Sequence, residues 1–439
     1  MNYGCSKKAK FYGSAECMQL TSAGGCVPAS SCDYFKARTK WCNESPLRLT
    51  NTAFQIKAPG GLIATLESKV DLTIIDECHE IDDQLINHAA MNIDMADFKQ
   101  LDSVLGKAFV GKFAAFINEF AEMDVGFYFT VNDEIQKTAD KLIGEITDKC
   151  TELATEAKTS NARQGVGPAM DALKNWANDL ERFAHDGGEW IISEYGFATK
   201  LKLTPVYASQ VVQRGLYSKC DQFIHMSATI CGMQEYMKTM AIKPSEAALM
   251  DAPNPIPVEN RPICALNAVK VSGAYDPKDI AKLVDAIIAR HPDQHGVIHT
   301  VSFKLAKEIL ENSKFKRIMT VSNDREEILS LLSGKKSQII LSPSIETGYD
   351  FKGDMARWQI LAKVPFGYLG DPYIKLNTER DSDWYARKAI VRLVQASGRA
   401  VRGVDDYATT YILDSNFKRL YDKNRGMFPT WYQDAMTML

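Results

Sequence analysis

The chain has 439 residues, of which 45% are hydrophobic and 24% are charged. This balance excludes collagen-like and wholly disordered proteins, and the length allows about two to four domains. The sequence contains no run of about 18 apolar residues, and its first ten residues, MNYGCSKKAK, lack the apolar core of a secretory signal. We therefore expect a cytoplasmic protein without a membrane partner.

The net charge of −3 does not by itself indicate a nucleic-acid-binding protein. The charge is uneven, however, because residues 1–60 contain eight Lys or Arg residues against three acidic ones. This excess of positive charge fits a patch that faces phosphates, and it fits a solvated basic surface equally well.

Cysteines are concentrated at the start of the chain. Five of the ten lie within the first 42 residues: Cys5, Cys17, Cys26, Cys32 and Cys42. In a reducing compartment such a cluster favours a metal or iron–sulfur site over disulfides. The absence of a C-x2-C pair argues against the common zinc knuckles, and unrelated buried thiols remain the alternative.

Two parts of the chain have the pattern of parallel strands. Residues 70–77 (VDLTIIDE) form a β-branched apolar run that predicts a buried strand with acids at its carboxyl end, and residues 222–229 (QFIHMSAT) predict another. From about residue 255, strands alternate with helices, such as 277–290 and 386–401, which implies a parallel sheet. The predicted strands of this second part are 296–301, 317–321, 338–342, 358–364 and 408–413.

Residues 95–190 have a helical pattern with little strand signal. Apolar residues recur at helical spacing on both sides of a break at 159–167 (SNARQGVGP), and we interpret them as core packing. The residues of these stripes are Ile135, Ala139, Leu142, Ile143 and Ile146, then Leu173, Trp176, Leu180 and Phe183.

Asp76-Glu77-Cys78-His79 follows the first predicted strand directly. One carboxylate at a strand end could hold Mg²⁺, and the next could orient water for attack on a γ-phosphate. His79, one turn further on, could relay the state of the nucleotide. The alternative is a solvated acidic start to a helix.

Gln395-x-x-Gly398-Arg399-x-x-Arg402 is the second motif. If this segment is helical, these residues share one face, and two guanidiniums then point to a common target such as phosphate oxygens. A basic surface helix with accidental spacing is the alternative. Further polar residues occupy turns after predicted strands: Ser227, Thr229, Glu346, Gly348 and Asp350.

In their order, D-E-C-H, S-A-T, E-T-G-Y-D and Q-x-x-G-R-x-x-R resemble the motifs of a superfamily 2 helicase. The cysteine-rich start, with N-Y-G-C at 2–5 and C-D-Y-F-K-A-R at 32–38, is similar to the XPD/DinG family of iron–sulfur DNA helicases. The resemblance implies an α/β fold with two RecA-like motor domains, a cysteine module and a helical arch insertion.

The family resemblance assigns a role to each matched residue. Cys5, Cys17, Cys26 and Cys32 would ligate an iron–sulfur cluster of the 4Fe-4S type, with Cys42 a bystander. Asp76 and Glu77 would serve Mg²⁺ and water, and Gln395, Arg399 and Arg402 would face the triphosphate of Mg-ATP from the second motor domain. Gly348 and Asp350 would couple the nucleotide to strand movement.

The resemblance also implies a domain order and a function. The cluster module would span 1–45, the partial first motor 46–95 and 195–240, the arch 96–194, and the second motor 241–439. The protein would be an ATP-dependent helicase that moves 5′-to-3′ on single-stranded and forked DNA, in the nucleoid or, for a viral protein, in the host cytoplasm. A non-catalytic DNA-binding or regulatory remnant is the alternative, and a zinc-stabilised version is a lesser one.

One family motif has no match in the sequence. Walker A, G-x4-G-K-[ST], cradles the phosphates of ATP; the nearest segment, Gly106-x4-Gly111-Lys112, has Phe113 in place of the hydroxyl residue and follows no predicted strand. We interpret this segment as a chance match. We expect the loop to come from a second polypeptide or from a start upstream, and the isolated chain to hydrolyse ATP negligibly.

Overall fold

The computed structural model describes residues 70–98, 101–159, 166–273, 275–344 and 350–439. The predicted cysteine module at 1–45 lies outside these ranges. The chain forms two compact units. Unit 1 comprises residues up to Met226 with 239–241 and 369–376, and unit 2 comprises 227–238, 242–368 and 377–439.

The described residues of unit 1 form two sheets. Its strands are β1 (Thr73–Ile75), β2 (Met91–Asp94), β3 (Tyr128–Thr130), β4 (Glu189–Gly196), β5 (Lys200–Pro205) and β6 (Phe223–His225). β1 and β6 pair in parallel, with Ile74 opposite Ile224, which confirms the two strands predicted at 70–77 and 222–229 in shortened form. The other four strands form an antiparallel sheet in the order β2-β5-β4-β3.

The prediction that β1 is fully buried is wrong for one face. Ile75 is buried, but Ile74 is 57% exposed and its partner Ile224 is 46% exposed. Leu72 and Met226 extend the same face and are about as exposed. Because a parallel sheet normally has both faces covered, this apolar face is unusual, and within the described residues it stays open.

The helices of unit 1 carry its largest core. They are α1 (Ile81–Ala89), α2 (Met95–Phe98), α3 (Asp102–Leu105), α4 (Lys107–Asn118), α5 (Asp133–Thr159), α6 (Val166–His185) and α7 (Ala208–Gly215). The long helices α5 and α6 lie on either side of the predicted break and pack together through the predicted stripes, since Ala139, Leu142 and Leu173 are buried. The helical prediction for 95–190 is confirmed, but it missed β3 and the start of β4.

Unit 2 is built on a seven-stranded parallel sheet. Its strands are β7 (Ile263–Val269), β8 (Gly296–His299), β9 (Met319–Val321), β10 (Ile339–Ser342), β11 (Trp358–Leu361), β12 (Thr409–Asp414) and β13 (Met436–Met438). Their order is β13-β7-β12-β11-β8-β10-β9, and every pair is parallel. All five strands predicted in this part are present, whereas β7 and β13 were not predicted.

Helices cover this sheet. The helices of unit 2 are α8 (Met233–Thr239), α9 (Pro277–Ile288), α10 (Phe303–Asn312), α11 (Arg325–Leu332), α13 (Ser382–Ser397), α14 (Asn416–Lys423) and α15 (Thr430–Asp434). The remaining helix, α12 (Pro372–Arg380), begins in unit 1, where Leu376 packs with Ile191 and Val206. Helix α9 packs on one set of apolar side chains, α11 on a second and α13 on a third, so that the central strands β8, β10 and β11 are buried throughout. The α/β fold with parallel sheets is therefore confirmed. Of the helices in the described ranges, none has the length and apolarity needed to span a bilayer.

Gly296 is required by the packing of unit 2. It lies opposite Trp358 in the register of β8 and β11, and a Cβ atom at this position would overlap the Trp358 ring, which is fully buried. We expect Gly296→Ala to lower the free energy of unfolding by about 1–3 kcal/mol, because a filled core resists added volume. Urea unfolding followed by tryptophan fluorescence measures this loss.

Gly426→Ala is the matched control, since nothing lies within 4 Å of a Cβ at that position. The control should leave the unfolding midpoint within experimental error of the wild type. Equal stability of Gly296→Ala and the wild type would contradict the close packing of Trp358.

Candidate nucleotide site

The acidic motif occupies the turn directly after β1. The amide of Glu77 donates to Oδ1 of Asp76 at 2.9 Å, and Glu77 has a left-handed backbone conformation, with φ 49°. Such a conformation is uncommon for a residue other than glycine, and it turns the chain sharply at the carboxyl end of the strand. Both carboxylates consequently lie at the surface, where open α/β sheets bind ligands.

Backbone hydrogen bonds fix this turn to the end of β6. The amide of Met226 donates to the carbonyl of Ile75 at 2.9 Å, and the amide of Cys78 donates to the carbonyl of Met226 at 3.1 Å. The residue before the S-A-T motif is therefore tied to both ends of the Asp76-Glu77 turn.

His79 lies beneath the turn, in the short 3₁₀ segment Cys78–Glu80. Its side chain is buried, and its two ring nitrogens each approach a carboxylate: Nδ1 is 3.3 Å from Oε2 of Glu77, and Nε2 is 3.7 Å from Oε1 of Glu80. Because the Glu77 side chain is 63% exposed, the imidazole holds one side of this carboxylate while the other side faces solvent. This arrangement suits a carboxylate that must orient a water molecule.

The acids fit the chemistry of Mg²⁺. Carboxylate oxygens at a strand end are its preferred protein ligands, and in nucleotide sites one or two of them suffice because phosphates and waters complete the octahedron. Within the part of the chain that the structure describes, no group of three or more His, Cys, Asp or Glu side chains is placed to hold a metal.

Residues 106–112 are unsuited to cradle phosphate. Gly106 precedes α4, while Gly111 and Lys112 lie within that helix, and Lys112 pairs with Glu145 at 3.2 Å. The backbone amides of a continuous helix do not converge on an anion. The interpretation of this glycine–lysine segment as a chance match stays a prediction, and the position of Gly111 and Lys112 within α4 agrees with it.

The S-A-T segment is a tight turn at the start of unit 2. The amide of Thr229 donates to the hydroxyl of Ser227 at 3.1 Å, and the two hydroxyl oxygens are 3.2 Å apart. Thr229 is buried and Ser227 is half-buried. The predicted coupling residues Glu346 and Gly348 lie outside the described residues, whereas Asp350 is described and forms an ion pair with Arg402.

The arginine motif is not a single helical face, which corrects the prediction of a helix to residue 401. Helix α13 ends at Ser397 with Gly398 as its C-cap, so Gln395 lies on the helix and Arg399 and Arg402 follow it. Glycine has the lowest helix propensity apart from proline, and the Ser397 hydroxyl bonds back to the carbonyl of Leu393 at 2.8 Å. We call residues 399–402 the arginine loop.

The start of the arginine loop is fixed by a buried amide that the sequence analysis missed. Gln359 of β11 is fully buried, and its Nε2 donates at 2.8 Å both to the carbonyl of Ser397 and to the hydroxyl of Thr410. Its Oε1 lies 3.2 Å from Nε2 of His299. A glutamine inside the apolar run WQILAKV was the signal, because a buried amide must find partners.

The hydrogen bonds of Gln359 define the tautomer of His299. Since both amide hydrogens of Gln359 are donated elsewhere, its oxygen accepts, and the proton of His299 belongs on Nε2. The other ring nitrogen, Nδ1, is buried without a hydrogen-bond partner in the described residues. Burial, aided by the nearby Arg399 guanidinium, therefore lowers the pKa of His299 to about 4, although the hydrogen bond to Gln359 acts in the opposite direction.

Comparisons with known proteins place the chain near the helicases. Residues 291–435, about a third of the chain, match the family model of the helicase C-terminal domain. The ATP-dependent DNA helicase YoaA of Escherichia coli (strain K12) is 22% identical over 232 residues, which cover 49% of this chain and 36% of YoaA. The chain therefore spans about a third of the length of this curated relative.

A solved structure has the same fold. The structure of S. tokodaii Xpd4 matches with a TM-score of 0.50 and 14% identity, covering 84% of this chain and 75% of that one. The residues that match the helicase C-terminal domain include strands β8 to β12 of the parallel sheet of unit 2. The resemblance of the chain to XPD/DinG-like helicases, predicted from its motifs, is confirmed.

The low pKa of His299 makes a prediction about stability. In the unfolded chain the His299 imidazole takes up a proton near pH 6.5, whereas in the folded chain it does so only near pH 4. The free energy of unfolding therefore decreases as the pH falls through this window. Between pH 7 and pH 5 the wild type should lose about 1–2 kcal/mol more unfolding free energy than His299→Gln. Urea unfolding at both pH values measures the difference.

The difference between the two pH profiles isolates the contribution of the side chain at position 299. Burial also lowers the pKa of His225 and His291, and the wild type and the variant share those contributions. If the unfolding free energies of the wild type and His299→Gln changed equally with pH, the imidazole of His299 would not be held neutral in the folded protein.

Proposed function

We propose that the chain is the motor portion of an ATP-dependent DNA helicase, which couples ATP hydrolysis to 5′-to-3′ movement on single-stranded DNA. The observation that carries this proposal is the arginine loop, fixed to the parallel sheet within the residues that match the helicase C-terminal domain. The acids that end β1 in unit 1 support it separately, because a hydrolase needs groups for metal and water as well as cations for phosphate.

Each residue of the two motifs would have a defined part in hydrolysis. Asp76 would hold Mg²⁺, and Glu77, oriented by His79, would align the attacking water. Gln395, Arg399 and Arg402 would bind the triphosphate and stabilise the charge that develops on its oxygens, since guanidinium groups fit phosphate in a forked geometry. Mg²⁺ would supply further charge neutralisation.

A second set of residues would link the nucleotide to the DNA strand. Ser227 and Thr229 form the turn that directly follows Met226, the residue bonded to both ends of the Asp76-Glu77 turn. A movement of the Asp76-Glu77 turn could therefore be passed through Met226 to the Ser227–Thr229 turn. In the E-T-G-Y-D motif, Glu346, Gly348 and Asp350 would respond to the state of the nucleotide. Gly398, the C-cap of α13, would let the chain turn from the helix into the arginine loop. The ion pair of Asp350 with Arg402 supports this link.

The domain assignments also belong to the proposal. Residues 1–45 would form an iron–sulfur module, with Cys5, Cys17, Cys26 and Cys32 as thiolate ligands of a 4Fe-4S cluster. Residues 46–95 and 195–240 would be the partial first motor, 96–194 the arch and 241–439 the second motor. The helical pair α5 and α6 supports an arch, although the antiparallel sheet of unit 1 includes strands on both sides of the proposed 96–194 segment.

Hydrolysis would need a phosphate-binding loop from outside the given sequence, either on a preceding segment or on a second polypeptide. The lack of a Walker A match in the sequence supports this requirement. We use "completed protein" for the chain together with that loop. Its substrates would be single-stranded and forked DNA, and a cytoplasmic location stays a prediction from the sequence.

The arginine loop provides a direct test of the proposal. In the completed protein, DNA-stimulated ATP hydrolysis should fall about 100- to 1,000-fold in Arg399→Ala, as expected when a cation facing the transition state is removed. Steady-state kcat with and without single-stranded DNA measures the effect, and Glu77→Gln should cause a comparable loss.

Arg419→Ala is the matched control, because Arg419 is an exposed arginine of α14 in the same unit. It should retain wild-type turnover. DNA-stimulated turnover by the isolated chain, lost in Glu77→Gln, would contradict the need for an outside loop. A completed protein that binds DNA but does not hydrolyse ATP would contradict the motor proposal and favour the alternative of a non-catalytic DNA-binding remnant.

The cysteine module can be tested without activity. Anaerobically purified protein should contain iron and sulfide and have the broad brown absorbance of an iron–sulfur cluster, and Cys5→Ser or Cys32→Ser should abolish both. Cys42→Ser, at the proposed bystander, should keep them. Stoichiometric zinc without iron would favour the zinc-stabilised alternative, and a colourless protein free of both metals would refute a metal module.

A further inference from the structure

Asp406 lies in the segment between the arginine loop and β12, and the function proposed above gives it no role. Its carboxylate accepts four hydrogen bonds. Oδ2 accepts from the amides of Arg402 and Gly353, at 3.1 and 3.4 Å, and Oδ1 accepts from Nη1 of Arg357 and the amide of Tyr407, at 2.8 and 3.0 Å. One carboxylate thus joins the end of the arginine loop to the segment 350–357.

The ion pair at the centre of this junction is largely shielded from water. The side chains of Asp406 and Arg357 are 13% and 15% exposed. Arg357 also donates to Oδ1 of Asp354 and to the carbonyl of Tyr407, and its guanidinium lies 4.1 Å from the centre of the Tyr407 ring. A shielded, hydrogen-bonded pair of this kind contributes more than a surface ion pair.

Two further contacts connect the same segments. The amide of Phe351 donates to the carbonyl of Arg399 at 3.3 Å, and Arg402 forms its ion pair with Asp350. Gly353 has a positive φ of 59°, the conformation that glycine adopts without strain. The segment 350–357 directly follows Glu346-Thr347-Gly348-Tyr349, so the junction links the two motifs of unit 2 that the proposed function assigns to coupling and to phosphate.

We propose that Asp406 is a positioning residue, whose carboxylate holds the arginine loop and the segment 350–354 as one body. The proposal rests on the proposed function, because holding the loop matters to hydrolysis only if Arg399 and Arg402 contact the triphosphate. A neutral alanine would release the amides of Gly353 and Arg402 together with the Arg357 guanidinium. An asparagine would keep a single acceptor oxygen and turn a donor toward one of these groups.

Amide hydrogen exchange of the full chain tests the junction itself. In Asp406→Ala, the amides of Gly353 and Arg402 should exchange at least about tenfold faster than in the wild type, because hydrogen bonds to a charged acceptor are lost. Asp406→Asn should fall between the two. Asp405→Asn is the matched control, since Asp405 is the exposed neighbour, and it should leave both amides unchanged. Unchanged exchange in Asp406→Ala would overturn the proposal.

Turnover of the completed protein separates positioning from general stability. We expect kcat per folded molecule to fall at least about tenfold in Asp406→Ala, with the KM for ATP changed less than about threefold and Asp406→Asn intermediate. A lower melting temperature with kcat unchanged would reduce Asp406 to a structural residue and overturn the proposal. If the wild type itself shows no turnover, the proposed function fails, and the exchange measurement alone decides whether Asp406 holds the junction.

Discussion

A single buried amide, that of Gln359, connects the central sheet of unit 2 to the residues on which the proposed chemistry depends. Its donation to the Ser397 carbonyl ties the last residue of α13 to β11, and Gly398 and Arg399 follow directly. Its acceptor oxygen requires the proton of His299 on Nε2, so the sheet, the helix end and the tautomer of a histidine are set by the hydrogen-bonding capacity of one side chain. Buried polar networks of this kind favour one geometry because partial satisfaction is costly.

The other end of the arginine loop is held in a chemically different way. Gln359 holds the start of the loop with a neutral amide, whereas Asp406 holds its end with a charged carboxylate. The same carboxylate also accepts from Gly353, which is remote in sequence. With both ends fixed and Phe351 bonded to Arg399 between them, the loop has little freedom of its own. Preorganised cations are what electrostatic catalysis requires, since reorienting them during the reaction would consume the stabilisation they provide.

Much of this fold was predictable where local pattern and tertiary environment agree. Strands β8, β10 and β11 are short, continuous apolar runs, and in the structure they are buried on both faces. The antiparallel sheet of unit 1 was missed, although Lys200-Leu201-Lys202-Leu203 alternates as an exposed-face strand should and its partner β4 lies directly before it. Its other partner, β2, lies more than a hundred residues away. Pairing over that distance has no local signature.

The candidate site was predicted unevenly for a similar reason. Asp76, Glu77, Arg399 and Arg402 are polar groups at the ends of a strand and a helix, and the sequence alone indicates them through their spacing. Gln359, His299 and Asp406 act through contacts between distant segments, which only the fold brings together. The helix through residue 401 was wrong because spacing alone does not reveal that Ser397 and Gly398 end it.

The central claim is that these arrangements belong to a motor, and translocation tests it most directly. The completed protein, mixed rapidly with ATP on single-stranded DNA labelled at one end, should reach the label after a lag that grows in proportion to strand length. A lag that is independent of length, at saturating ATP and with DNA binding intact, would contradict the account.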